Sequence, residues 1–176
     1  NDEYFKRKGV LKDSKNRCFK DNDERMMFFC QGVLETLIML RWAPDIIHCH
    51  GWFTGLIPVY LRGKYNTSSV FENTKVIYSL YKDSFVGSLN KELKEKILFD
   101  DISENSLLHI EKPNAKNLHK QAISLSDFVD PCKGFSNKDV LSFIEKTKVP
   151  TTQFGQNNTH EEFVKLYNDL LITEPV

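Results

Sequence analysis

Pro44-Asp45-Ile46-Ile47-His48-Cys49-His50-Gly51-Trp52-Phe53-Thr54-Gly55-Leu56 is the stretch whose reading decides the fold. It opens with a Pro-Asp turn and continues with two β-branched residues, the pattern of a short buried parallel strand. Gly51 supplies the turn that ends it, and a helix is expected from Trp52 to about Tyr65. In an open α/β sheet the end of a strand just before a helix is where ligands bind. The following helix N-terminus offers free N–H groups to a phosphate. His48 and His50 are two apart, so on a strand they share a face. Either they share a ligand or a metal, or at least one is a core histidine tying loops together by hydrogen bonds. No third His, Cys or carboxylate follows at a metal-ligand spacing, so no metal is expected.

Upstream, Asp21-Asn22-Asp23-Glu24 opens a helix. Asp21 is placed to cap it, with Glu24 completing a capping box. Apolar residues at Met26, Phe29, Val33, Leu34, Leu37, Ile38 and Leu40 keep helical spacing until Trp42-Ala43, where Pro44 stops the helix. Residues 1–20 are polar and charged and read as a loop or hairpin at an edge. Downstream, the spacing predicts a strand at Lys75–Tyr81, a helix at Leu89–Phe99 and a helix at Asn114–Ser124. A strand at Asp127–Asp130, a helix at Asp139–Thr147 capped by Ser136 or Asn137, and a strand at Val149–Phe154 follow. A helix over Thr159–Ile172, capped by Thr159, ends the pattern. The alternation predicts an open, mainly parallel α/β sheet with right-handed crossovers and helices on both faces.

A chain of 176 residues fits one domain, and no boundary falls inside it. It is long enough to bury roughly two thirds of its unfolded surface. Lys+Arg and Asp+Glu number 24 each, which argues against a general nucleic-acid binder. Cys18, Cys30, Cys49 and Cys132 form no C-x-x-C pair and read as free thiols of a cytoplasmic protein. No stretch is apolar enough to span a membrane, and the N-terminus has no apolar signal region. The chain opens on Asn1 rather than Met, so the expectation is that it begins inside a domain. His109, His119 and His160 read as surface or capping residues, and Lys91–Lys96 as a solvated helix face.

Asp21-Asn22-x-x-Arg25, followed by Trp42-x-Pro44-Asp45-Ile46-Ile47-His48-Cys49-His50-x-Trp52-x-Thr54-Gly55-Leu56, resembles the bacterial glycogen and plant starch synthases. Their pattern is Asp-Asn-x-x-Arg-Phe and then His-x-His-Asp-Trp-His-[Thr/Ala]-[Gly/Ala]-Leu. The likeness is dense from Asp21 to Leu61 and weaker beyond, and it is nearest to the short, divergent, single-domain members. It implies the first Rossmann-like domain of a GT-B glycosyltransferase, with the start of that domain and the whole second domain absent from residues 1–176. The implied partners are ADP-glucose, as donor substrate rather than cofactor, and an α-1,4-glucan acceptor. Oligomeric state is left open. By position His50 matches the active-site histidine near the donor glucose. Asp21, Arg25, His48, Trp52 and Thr54 match the substrate-side residues, Trp52 chiefly by packing, and Asp21 is equally well explained as an N-cap. The pattern is broken where Gly51 replaces Asp, Phe53 replaces His, and Ser79-Leu80-Tyr81-Lys82 replaces Thr-Ile-His-Asn. Lys82 stands where a cation partly replaces a lost positive field. Two functions follow from the resemblance: a piece of an ADP-glucose-dependent glucan synthase, or a non-catalytic domain of that ancestry that binds a glucan or a partner.

Overall fold

A computed structural model describes residues 2–82, 85–152 and 160–172. In chain order its elements are α1 (Asp2–Phe5), α2 (Asn22–Met39), β1 (Ile46–His50), α3 (Ile57–Arg62), β2 (Lys75–Leu80), α4 (Leu93–Leu98), α5 (Ala115–Ile123), β3 (Phe128–Pro131), α6 (Lys138–Thr147) and α7 (His160–Ile172). The three strands form one parallel sheet in the order β1-β2-β3. Cys49, Tyr78 and Val129 are in register, and so are His50, Ser79 and Asp130. Alternation therefore sorts the strands into two faces. The Cys49/Tyr78 face packs on α2 and α5, where the Tyr78 hydroxyl meets His119 Nδ1 at 2.8 Å. The opposite face carries the histidines of β1 and meets α7. This is the open parallel α/β sheet that the alternating pattern predicts.

Helix α2 buries Met26, Cys30 and Leu34, which are four residues apart and so line one side. It stops three residues before Trp42. Arg41 turns left-handed at φ 52°, with its N–H on Ile38 O and the Trp42 N–H on Leu37 O. These two bonds are a Schellman closure, so the chain leaves the helix before Pro44 can act. The helix expected over Trp52–Tyr65 is split into a 3-10 turn at Trp52–Thr54 and α3. Pro58 has no N–H to donate, which breaks a continuous ladder there. Helix α4 starts four residues later than expected, because the Leu89 N–H is bound to Pro113 O and the Asn90 side chain holds the Glu92 N–H. Asn114 and Asn137 cap α5 and α6 by accepting from the N–H three residues on.

The expected last strand is reduced to one parallel bridge, Val129 to Thr151. Pro150 cannot donate there, though its carbonyl accepts the Val129 N–H. Residues 153 and 154 of that expectation, and the Thr159 cap, lie outside the described residues. The N-terminal segment holds α1 and an antiparallel bridge between Lys12 and Cys18, a small hairpin as anticipated. His119 is a correction: it is 2% exposed, because its place on α5 faces the sheet. Lys96 is also less free than a solvated face implies, since it pairs with Asp23 and Glu24 across to α2. All four cysteines are free thiols, three of them buried. No helix among the described residues is long and apolar enough to cross a membrane.

Candidate active site at the carboxyl end of the sheet

Strand β1 delivers His48 half-buried and His50 exposed on the same face, as their spacing predicts. Their rings stack with centroids 4.0 Å apart and 30° between planes. His48 has both nitrogens engaged: Nδ1 is 2.7 Å from the Tyr167 hydroxyl and Nε2 is 2.7 Å from Ser79 Oγ. Phe163 adds a ring contact at 5.3 Å. His50 Nδ1 meets the Tyr81 hydroxyl at 2.8 Å, and its Nε2 makes no hydrogen bond among the described residues. Burial pushes the His48 pKa down to about 4, with His50 acting in the same direction and Asp130 opposing. The His50 pKa is lowered by burial, again against Asp130. Both rings are therefore neutral at pH 7.

Beyond His50 the chain turns at Gly51, with φ 71° and ψ 178°. This region of backbone space is open essentially to glycine alone. Thr54 closes the turn: its hydroxyl and its N–H both donate to Gly51 O, at 3.1 and 3.3 Å. Trp52 is buried against Phe85, with ring centroids 4.6 Å apart, and against Phe53. Lys82 is exposed two residues past the end of β2, next to Tyr81, and makes no ion pair among the described residues.

Asp21 and Arg25 form a separate cluster at the start of α2. Asp21 does not cap the helix with its side chain. Its backbone (φ −96°, ψ 19°) lies outside the extended region that curls a cap carboxylate back onto the helix. Its two oxygens instead take a bidentate pair from Arg7, at 2.9 and 2.6 Å, which holds the carboxyl below its ordinary pKa. Nor does Glu24 complete a capping box, because it accepts from Lys96 and from the Tyr4 hydroxyl. Arg25 is 1% exposed. It donates to Tyr4 O, Val10 O and Asn22 Oδ1, and Phe5 and Phe19 sit over its guanidinium. No hydrogen bond or ion pair among the described residues joins this cluster to the histidines.

The site also holds residues that sequence reasoning passed over. Ser79, fully buried, donates to Asp130 Oδ2 at 2.9 Å. Asp130, also fully buried, accepts from Thr152 Oγ1 at 2.7 Å and from Cys132 Sγ at 3.3 Å. A small or charged polar residue in the buried part of each of two strands was the available signal. Among the described residues no group of three His, Cys, Asp or Glu is arranged to hold a metal.

The family described as starch synthase catalytic domain matches residues 1–144. A glycogen synthase of Chlorobium limicola is 40% identical over 104 residues, covering 58% of this chain and 21% of that protein. One from Chlorobium luteolum is 38% identical over 120 residues, 68% of this chain and 24% of its own length. The chain thus spans between a fifth and a quarter of the length of these relatives. Among solved structures, the catalytic domain of starch synthase IV from Arabidopsis thaliana, bound to ADP and acarbose, is similar with a TM-score of 0.55 at 18% identity. That likeness covers 73% of this chain and 28% of the other, and it establishes the GT-B Rossmann-like fold. With the family matched across more than four fifths of its residues, the chain belongs to the starch synthase catalytic domain family of glycosyltransferases.

Proposed function

We propose that the chain is the acceptor-side portion of a glucan synthase that transfers glucose from ADP-glucose to an α-1,4-glucan with retention, and that it does not transfer glucose alone. The observation that carries this reading is His50, exposed at the carboxyl end of β1 within the matched residues, with its Nε2 turned to no protein partner among those described. A neutral imidazole there serves as a hydrogen-bonding group to a sugar or to the developing charge at the reacting centre. Lys82 supplies a cation on the neighbouring strand end for the leaving diphosphate. Trp52 and Thr54 shape the turn that carries His50. Arg25 acts through the Tyr4 and Val10 carbonyls it holds, and Asp21 through its pair with Arg7.

Retaining transfer requires donor and acceptor held in line, with preorganised charge around the leaving group. One exposed lysine is a weak substitute for that. Gly51 and Phe53, where the family has Asp and His, favour a second reading, a non-catalytic glucan-binding domain of the same ancestry. The test is incubation with labelled ADP-glucose and glycogen, beside affinity electrophoresis in glycogen gels. Retarded migration that weakens in His50→Ala, without chain extension, supports the proposal. Extension lost in His50→Ala overturns its claim of incompetence, and neither binding nor extension overturns both readings.

A further inference from the structure

We propose that Tyr167, carried by α7, is a positioning residue of this site, which with Ser79 and Asp130 locks His48 in one tautomer and thereby fixes the ring of His50. The inference rests on His50 being the ligand-facing residue. Helix α7 lies outside the matched residues 1–144.

The direction of every bond in the chain follows from its first member. A carboxylate only accepts. Asp130 Oδ2 therefore accepts a hydrogen bond from the Ser79 hydroxyl, at 2.9 Å. With that proton spent, Ser79 Oγ faces His48 Nε2 at 2.7 Å as an acceptor, so Nε2 carries the ring proton. The remaining nitrogen of a neutral imidazole is an acceptor, so the Tyr167 hydroxyl donates to Nδ1 at 2.7 Å. One directional series thus crosses the sheet from β3 through β2 and β1 to α7. Thr152 and Cys132, donating to the same carboxylate, hold it in place. The titratable groups facing His48 are His50 on its own strand, Asp130 across the sheet and Tyr167 above it. A protonated His48 would need the Tyr167 hydroxyl reversed from donor to acceptor, and burial opposes it.

His48 so held is committed on both nitrogens and cannot serve as acid or base. Its value is mechanical. Its ring, stacked at 4.0 Å on that of His50, is clamped at both ends. His50, held through Nδ1 by Tyr81, is left one ring nitrogen to present.

The experiment is long-range 1H–15N correlation on the histidine-labelled full chain at pH 7, which reads each ring's tautomer. His48 should show the Nε2–H form alone. Ser79→Ala should lose this single-tautomer pattern and Ser79→Thr, which keeps the hydroxyl, should retain it. Tyr167→Phe should move the His48 Nδ1 resonance and raise the His48 pKa toward its ordinary value, with a smaller change at His50. The His119 signal, on the opposite face, reports whether each variant is folded. An Nδ1–H form or a mixture in the unaltered chain overturns the proposal, and so do unchanged His48 and His50 signals in folded Tyr167→Phe. These readouts need no activity, so failure of the glucan assays leaves them decisive.

Discussion

The rings of His48 and His50 lie 4.0 Å apart, face toward face, at the carboxyl end of β1. Burial lowers the pKa of both rings, and the closeness of His50 lowers that of His48 further. The pair is therefore a neutral hydrogen-bonding surface at physiological pH. Its two members differ in exposure and in what they have left to offer: His48 is half-buried and committed on both nitrogens, His50 exposed and committed on one.

Stability should fall as pH drops from 7 to 5. Burial takes the pKa of His48 and of His119 from 6.5 to about 4. Between those values the unfolded chain binds protons on both rings while the folded chain does not, so acid favours unfolding. Above pH 6.5 both states are neutral and the effect vanishes. Urea unfolding at pH 7, 6 and 5 checks this, ahead of the range in which the carboxylates titrate. Equal stability at all three values would contradict it.

Arg7→Ala and Asp21→Ala should each cost about 1 kcal/mol, and the double variant little more than either alone. The two side chains are about a quarter exposed and bidentate, which places the pair at the upper end for surface ion pairs. A double-mutant cycle in urea measures the coupling. If Asp21→Ala costs the same in the Arg7→Ala background as in the unaltered chain, the pair is energetically idle and Asp21 acts through the helix start instead.

Arg25→Met should cost about 2–4 kcal/mol, because it keeps the aliphatic stem but strips the partners from the carbonyls of Tyr4 and Val10. The loss should appear as release of residues 2–19 in hydrogen exchange, with the β1 amides protected. A variant of unchanged stability whose glycogen retardation is lost would assign Arg25 to the ligand.

The succession of strands and helices along the chain was legible because hydrophobic period and turn residues act locally. Ile46–His50 is bounded as read, and of the two caps offered for α6 it is Asn137 that serves. Asp21 shows where local reading stops. Its sequence is that of a cap, but Arg7, fourteen residues earlier, takes both its oxygens in a bidentate pair that a single N–H does not match. The same holds for the site. His50 was visible through its motif, whereas Ser79, Asp130 and Tyr167 become neighbours of His48 only through strand register and the docking of α7. Separations of 31 residues to Ser79 and 119 to Tyr167 leave no trace in spacing.

Gly51 decides whether the family's motif can be restored. An Asp at this position completes His-x-His-Asp-Trp, so Gly51→Asp looks like a gain. The backbone argues otherwise. At φ 71° and ψ 178° the residue lies in a region that Asp and Asn do not tolerate as they tolerate the left-handed helical one. Space is not the obstacle, since a Cβ would only meet Tyr81 Cδ2 at 3.9 Å. The cost lies in the chain itself, about 1–3 kcal/mol, and it falls on the turn that aims His50 and seats Trp52. Gly51→Ala and Gly51→Asp should therefore destabilise by similar amounts in urea. They should also disturb the His50–Tyr81 contact alike, read as a shift of the His50 Nδ1 resonance. If Gly51→Asp is as stable as the unaltered chain while Gly51→Ala is not, the carboxylate supplies its own local bond, the turn can relax, and glycine here is a lost functional group rather than a backbone requirement.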